Sequence, residues 1–379
     1  MAWKGIIVVA VIFALAGFFG FRLYGISLPA SLLQFSQHSS ARIFPPLAVS
    51  FRDVKAIYAT AAFVSSPSRL KSLIGLIKRT ELNAIVINVK NEDGLYFGGD
   101  KAERIVSELR AEGIYPIARI VAFQDNDLAA RRPDLALHNN NGNLWTSGGG
   151  KYRWVDPASR EAWDYTIGIA RRALDLGFAE VNFDYIRFPS DGDTEDPVYP
   201  VYDGVRYKAD VMAEFFKYLT SEVKKTHPNA ILSVDLFAYS FLRTDGLGIG
   251  QRLIDAANMF DVVSPMIYPS HYANGNFGFE IPAKHPYEVV RKTLEAGNEI
   301  LRNGSTLLTT GSSTSLTTGS STTIAIIRPW LQDFNLGVVP YGPVEVRTEI
   351  LAAIDGGVKD TWMIWNPSNI YDQTKFLPE

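Results

Sequence analysis

The stretch "EVNFDYIRFPSDG" (Glu180–Gly192) decides how the rest of the chain is read. Val181 and Phe183 alternate with Asn182 and Asp184, the period of a β-strand with two different faces. The strand then ends on an aspartate and an arginine and breaks at Pro189 into an acidic loop. A buried strand has no structural need for a carboxylate at its end, so Asp184 is first a functional candidate. The alternative is a structural partner for Arg119 or Arg187, and a buried ion pair adds little net stability.

Outward from this strand the chain repeats one unit. The helical stretch "SREAWDYTIGIARRALDLG" (159–177) precedes it, with Gly177 as its C-terminal stop. Upstream, apolar runs at "VKAIYA" (54–59), "AIVINVK" (84–90) and "YPIARIVAF" (115–123) alternate with helical stretches at 68–80 and 101–113. Downstream, helices at 207–227, 286–304 and 342–357, and the short "LIDAANMF", alternate with runs beginning at 230, 261, 323 and 361. Eight βα units over about 325 residues predict a (β/α)₈ barrel with loop insertions. An open doubly wound sheet would want a glycine-rich phosphate turn after its first strand, and "ATAAFVSSPS" is not one.

Composition narrows the function. The 379 residues are 47% hydrophobic with net charge −3, so no basic field attracts nucleic acid. Cysteine is absent, which excludes disulfides and thiolate chemistry. Five scattered histidines give no metal-ligand spacing, and the acidic loop "DGDTEDP" (191–197) fails the EF-hand pattern, so no metal is expected.

Three segments lie outside the barrel pattern. Lys4 is followed by the uncharged run "GIIVVAVIFALAGFFGF" (Gly5–Phe21), about 25 Å as a helix. Residues 1–26 are therefore expected to be a signal anchor, or a cleaved signal peptide, with the barrel outside the cytoplasm. Residues 27–50 read as a linker and 51–379 as the barrel. The near-tandem "TTGSSTSLTTGSST" (309–322) has almost no surface to bury and is expected to be a mobile loop.

In a barrel of this kind chemistry gathers at the C-terminal ends of the strands. Those ends carry Asn88, Lys90 and Glu92 on the second unit, Arg119 on the third, and Asn182, Asp184 and Arg187 on the fourth. Asp235 ends the fifth, Tyr268 and His271 the sixth, Trp330 and Asp333 the seventh, and Trp365 and Asn366 the eighth. Two carboxylates on adjacent strands, ringed by aromatic rings, suit sugar chemistry. The rings pack on pyranose C–H faces, and the carboxyls supply acid and nucleophile or base.

"VNFDYIRFPSDG", "SVDLFAYS", "DVVSPMIYPSHY", "RPWLQDF" and "WMIWNPSNIY" occur in that order. Together they resemble a bacterial family known as a "putative glycosyl hydrolase domain", a domain of unknown function, from about Val54 to Tyr371. The resemblance implies a (β/α)₈ glycosidase that needs no cofactor. It also implies that Asp184 occupies the nucleophile position of the α-amylase clan. That clan carries its acid as a glutamate after the fifth strand, where this chain has Asp235. The reading that follows is a membrane-anchored glycoside hydrolase acting on a cell-surface or extracellular polysaccharide. Asp184 would be nucleophile or base, Asp235 the acid, and Glu92 its substitute. Arg119 and Arg187 would hold the carboxylate ionised, with Tyr268, Trp330 and Trp365 as the sugar platform. The competing reading is a non-catalytic carbohydrate-binding barrel tethered to the envelope.

Overall fold

Each inner strand of this protein serves two cores, and that division sets the architecture. In the computed structural model, residues 44–310 and 325–379 are described, apart from 95 and 338. The apolar run Gly5–Phe21 and the repeat from 311 onward lie outside the described residues. Among the described residues no helix is long and apolar enough to cross a membrane.

The barrel strands are β1 (Lys55–Thr60), β2 (Ala84–Lys90), β3 (Tyr115–Val121), β4 (Glu180–Asp184), β5 (Ile231–Phe237) and β6 (Val262–Ile267). β7 (Ile326–Ile327), β8 (Trp330–Gln332) and β9 (Trp362–Trp365) complete it. All neighbours are parallel, and the sheet closes because β9 pairs with β1 and β8 pairs with both β9 and β6. The run expected as one seventh strand is two short ones, broken at Arg328-Pro329. Proline has no N–H to give to the ladder, and β7 pairs with β6 alone.

The helices α1 (Pro67–Ile77), α2 (Gly99–Ala111), α3 (Arg160–Asp175), α4 (Lys208–Thr226), α5 (Leu253–Met259), α6 (Pro286–Thr310) and α7 (Pro343–Asp355) follow the expected stretches closely. α3 shows why. Ser159 accepts the Ala162 amide at its N-terminus, and Gly177 follows its last turn at φ +98°. A side chain at Gly177 would be strained there and would also meet the Phe44 ring within 2.9 Å.

Ile57, Ile85, Ile87, Ala118, Ile120, Val181 and Phe183 face the helices in one large core. The alternate residues Ala56, Tyr58, Val86, Ile117 and Met363 form a smaller core inside the barrel. Leu47, Val49 and Phe51, around the end of the stretch read as a linker, pack against this inner core.

The inner face of β4 carries Glu180, Asn182 and Asp184, all buried. At the bottom, Arg328 Nη1 lies 2.8 Å from Glu180 Oε1, and neither side chain touches solvent. Arg328 Nε also donates to Thr361 Oγ1, and Nη2 donates to the Phe51 carbonyl. Neither residue was singled out in the sequence, because a lone Glu and a lone Arg far apart in the chain give no local sign of pairing. Replacing Glu180 by Gln leaves Arg328 buried without its counter-charge, which costs about 3–5 kcal/mol. Urea unfolding at neutral pH reads this directly, and a loss below about 1 kcal/mol would show that the pair is not a closure of the barrel base.

Candidate active site

At the other end of the barrel the inner strands open into a pocket of about 380 Å³. Its lining includes Asp184 and Asp235, Arg119 and Arg187, and the aromatic residues Tyr58, Tyr268, Trp330 and Trp365.

Arg119 organises the floor. It rises from β3, where its register partners are Asn88 on β2 and Asn182 on β4. Nη1 donates to Asn88 Oδ1 at 3.0 Å, Nη2 makes a close ion pair with Asp184 Oδ2, and Nε lies 4.0 Å from Asp235 Oδ2. Burial alone would lower the Arg119 pKa, but Asp184, with Tyr58 and Asp235, carries it above its ordinary value.

Asp184 ends β4, and the chain turns sharply after it. Tyr185 sits at φ +52°, the left-handed region that a tyrosine rarely occupies. This turn aims the Tyr185 N–H back at Asp184 Oδ1, 2.6 Å away. Each Asp184 oxygen thus has one fixed donor.

Asp235 is held differently. Its Oδ1 accepts from Asn182 Nδ2 and from Trp330 Nε1, both at 2.8 Å. Burial pushes its pKa well above the ordinary carboxylate range, and the neighbouring Asp184 charge adds to that rise. Arg119 and the two hydrogen bonds only partly oppose it. The pair therefore consists of one carboxylate locked to a guanidinium and one carboxyl disposed to keep its proton.

One wall is aromatic. Tyr268 lies 5.2 Å from Trp365 and 5.3 Å from His271, measured between ring centres. Burial lowers the His271 pKa, which favours the neutral ring. Trp330, expected as part of a sugar platform, is 2% exposed and spends its N–H on Asp235, so it positions that carboxyl.

Several expected residues lie elsewhere. Lys90 does not reach the pocket. A bulge between Asn88 and Lys90 breaks the alternation, and the ammonium lies 2.8 Å from Asp125 and over the Tyr165 ring on α3. Asp333 and Asn366 bond each other at 3.1 Å, and Lys375 binds Asp333 at 2.6 Å, forming a buried tie to the C-terminal segment. Glu92 is half-buried in the turn after β2, outside the pocket lining, although its charge reaches Tyr58 and Tyr185. Arg187 forms no ion pair with Asp184; its guanidinium lies among Trp154, Tyr185 and Phe237. Asn182 is a positioning residue beneath Asp235.

Tyr58, Tyr185, Phe237, Tyr239 and Tyr272 line the pocket without having been expected there. Tyr185, Phe237 and Tyr239 stand inside the motifs already quoted, so adjacency to Asp184 and Asp235 was the available signal. In the acidic loop, Asp191 accepts the Gly148 amide and Asp196 binds Asn140, so these carboxylates serve loop hydrogen bonds.

Comparison with curated proteins finds no match. Among solved structures, a hypothetical protein from Ruminiclostridium thermocellum ATCC 27405 is 30% identical, over 47% of this chain and 96% of that one, with a TM-score of 0.43. An α-amylase from Lactobacillus plantarum matches at TM-score 0.52 and 11% identity, over 84% of this chain and 72% of that one. An α-galactosidase from Thermus thermophilus also matches at 0.52, with 13% identity, over 87% and 65% respectively. At these identities the two enzymes speak for the barrel fold alone. The family model described as "Putative glycosyl hydrolase domain" matches residues 56–371, most of the chain, and this protein belongs to that family.

Proposed function

We propose that this protein is a glycoside hydrolase acting on a cell-surface or extracellular polysaccharide, with Asp184 as nucleophile and Asp235 as general acid. Family membership and the barrel support a general glycosidase role. The observation that carries the finer reading is the unequal carboxyl pair around Arg119 at the floor of an aromatic pocket.

The chemistry follows from that inequality. Asp235 gives its proton to the glycosidic oxygen as the bond to the anomeric carbon breaks. Asp184 attacks that carbon, forming a glycosyl ester and releasing the protonated aglycone. Asp235, now ionised, takes a proton from water, whose oxygen displaces Asp184. Both carboxyls return to their starting states. Tyr268 and Trp365 offer ring faces to the sugar, and the Arg119 guanidinium holds the Asp184 side chain in place for the attack.

The membrane part of the proposal rests on the sequence. Lys4 before the apolar run Gly5–Phe21 favours an anchor with the barrel outside the cytoplasm. Alkaline phosphatase fused after Glu379 should then be active. An inactive fusion at normal expression would place the barrel inside.

Two measurements test the catalytic roles. Replacing Asp184 by Asn should lower reducing-end release from the cleaved polysaccharide at least a thousandfold, about 4 kcal/mol of barrier, with folding intact. A variant keeping more than about a tenth of the rate would exclude Asp184 as nucleophile and move the role to Asp235 or Glu92. Asp235 predicts a pH dependence of stated sign. An acid must be protonated, so activity should fall as pH rises through its raised pKa. The same shift makes the fold lose stability as pH rises from the ordinary aspartate range up to the raised pKa, where the native state holds a proton that the unfolded chain has released, with no further loss above it. Asp235→Asn should lower the rate and lack this loss of stability. An unchanged pH–stability curve would contradict the assignment.

A further inference from the structure

Among the described residues, Arg187 forms no ion pair. The residue is 5% exposed and forms one hydrogen bond among the described residues, from Nη1 to the Phe188 carbonyl oxygen at 3.0 Å. Trp154, Tyr185 and Phe237 surround the guanidinium at 4.6–5.2 Å from their ring centres. Ring faces attract a cation but do not satisfy five N–H donors.

The neighbouring acids are all engaged elsewhere. Asp184 is tied to Arg119 and the Tyr185 amide. Asp235 is held by Asn182 and Trp330. Asp191, exposed in the following loop, accepts the Gly148 amide. Tyr185, whose ring lies against the guanidinium, supplies no negative charge, since burial raises its pKa to about 12.

Arg187 nevertheless lines the same pocket as Asp184 and Asp235. With Asp184 paired to Arg119 and the Asp235 carboxyl taken by Asn182 and Trp330, Arg187 is left in the pocket with no carboxylate bonded to it among the described residues. A buried guanidinium is costly unless something of opposite charge meets it, and its planar fork suits a two-oxygen anion.

We propose that the pocket binds a saccharide bearing an anionic group, a uronic-acid carboxylate or a sulfate ester, and that Arg187 receives that group. The inference rests on the glycosidase reading for its saccharide, but not on hydrolysis itself. A neutral chain would leave the Arg187 charge buried and unmet in the complex. An acidic one would replace water on the guanidinium with a bidentate pair.

Binding to the full-length Asp235→Asn variant tests this without turnover and leaves Arg119 paired with Asp184, read by tryptophan fluorescence, since Trp154 lies against Arg187 and Trp365 lines the pocket. The probes are oligogalacturonides and oligoglucuronides, their methyl esters, and sulfated and unsulfated glucan oligomers. At least one acidic probe should bind ten times or more tighter than its neutral counterpart. The uronate and sulfate arms identify which anion is taken. Adding Arg187→Met should abolish that discrimination, and Arg187→Lys should retain part of it. Neutral probes binding as tightly as their acidic counterparts, no acidic probe binding, or full discrimination in the Arg187→Met protein would overturn the proposal. The comparison of acidic with neutral probes in the Asp235→Asn protein stands even if an Arg187 variant fails to fold. Acidic binding without cleavage by the wild-type protein would count against hydrolysis and leave the Arg187 assignment in place. Cleavage of neutral chains with no acidic preference would do the reverse.

Discussion

One guanidinium holds the site together. Arg119 stands inside the barrel on β3 and meets groups from three other strands: Asn88 on β2, Asp184 on β4 and Asp235 on β5. Arginine suits this place because its fork stays charged when buried and addresses several acceptors at fixed angles. The two aspartates consequently experience different fields. Asp184 is paired, while Asp235, buried and beside another carboxylate, is driven toward its neutral form. A carboxyl pair split in this way is the starting condition for acid and nucleophile to coexist at one pH.

The barrel supports that split from below. Asn182 and Trp330 both donate to Asp235, one from β4 and one from β8. Deeper still, Glu180 and Arg328 join β4 to the chain between β7 and β8. The inner face of β4 is thus polar along its whole length, with Glu180 closing the base, Asn182 positioning, and Asp184 at the mouth. Buried polar groups of this kind are tolerable because partners reach them across the barrel.

Much of this was legible in the sequence because it follows from periodicity. The alternation through Val181–Asp184 and the βα rhythm gave the barrel, the strand ends, and Asp184 and Asp235 at adjacent ones. What escaped depended on departures from period or on partners far away in the chain. Lys90 shares parity with Asn88, yet a single bulge turns it toward α3. Asp333 and Asn366 follow strand ends, yet Lys375 from the C-terminal segment buries them in a structural tie. Trp330 reads as a platform ring until its N–H is seen to reach Asp235, 95 residues away in sequence. Arg187 carries the same lesson from the other side, since the sequence shows acidic residues on both sides of it and the fold gives it no ion pair among the described residues.

The account turns on Asp235 carrying a proton beside a paired Asp184, and this needs no substrate to test. Carbon-13 NMR of the protein labelled at aspartate side-chain carboxyls should show one resonance that keeps the shift of a protonated acid to a pH well above the ordinary carboxylate range. That resonance should vanish in the Asp235→Asn protein. Finding that the Asp235 carboxyl titrates in the ordinary carboxylate range would contradict the acid assignment and the mechanism built on it.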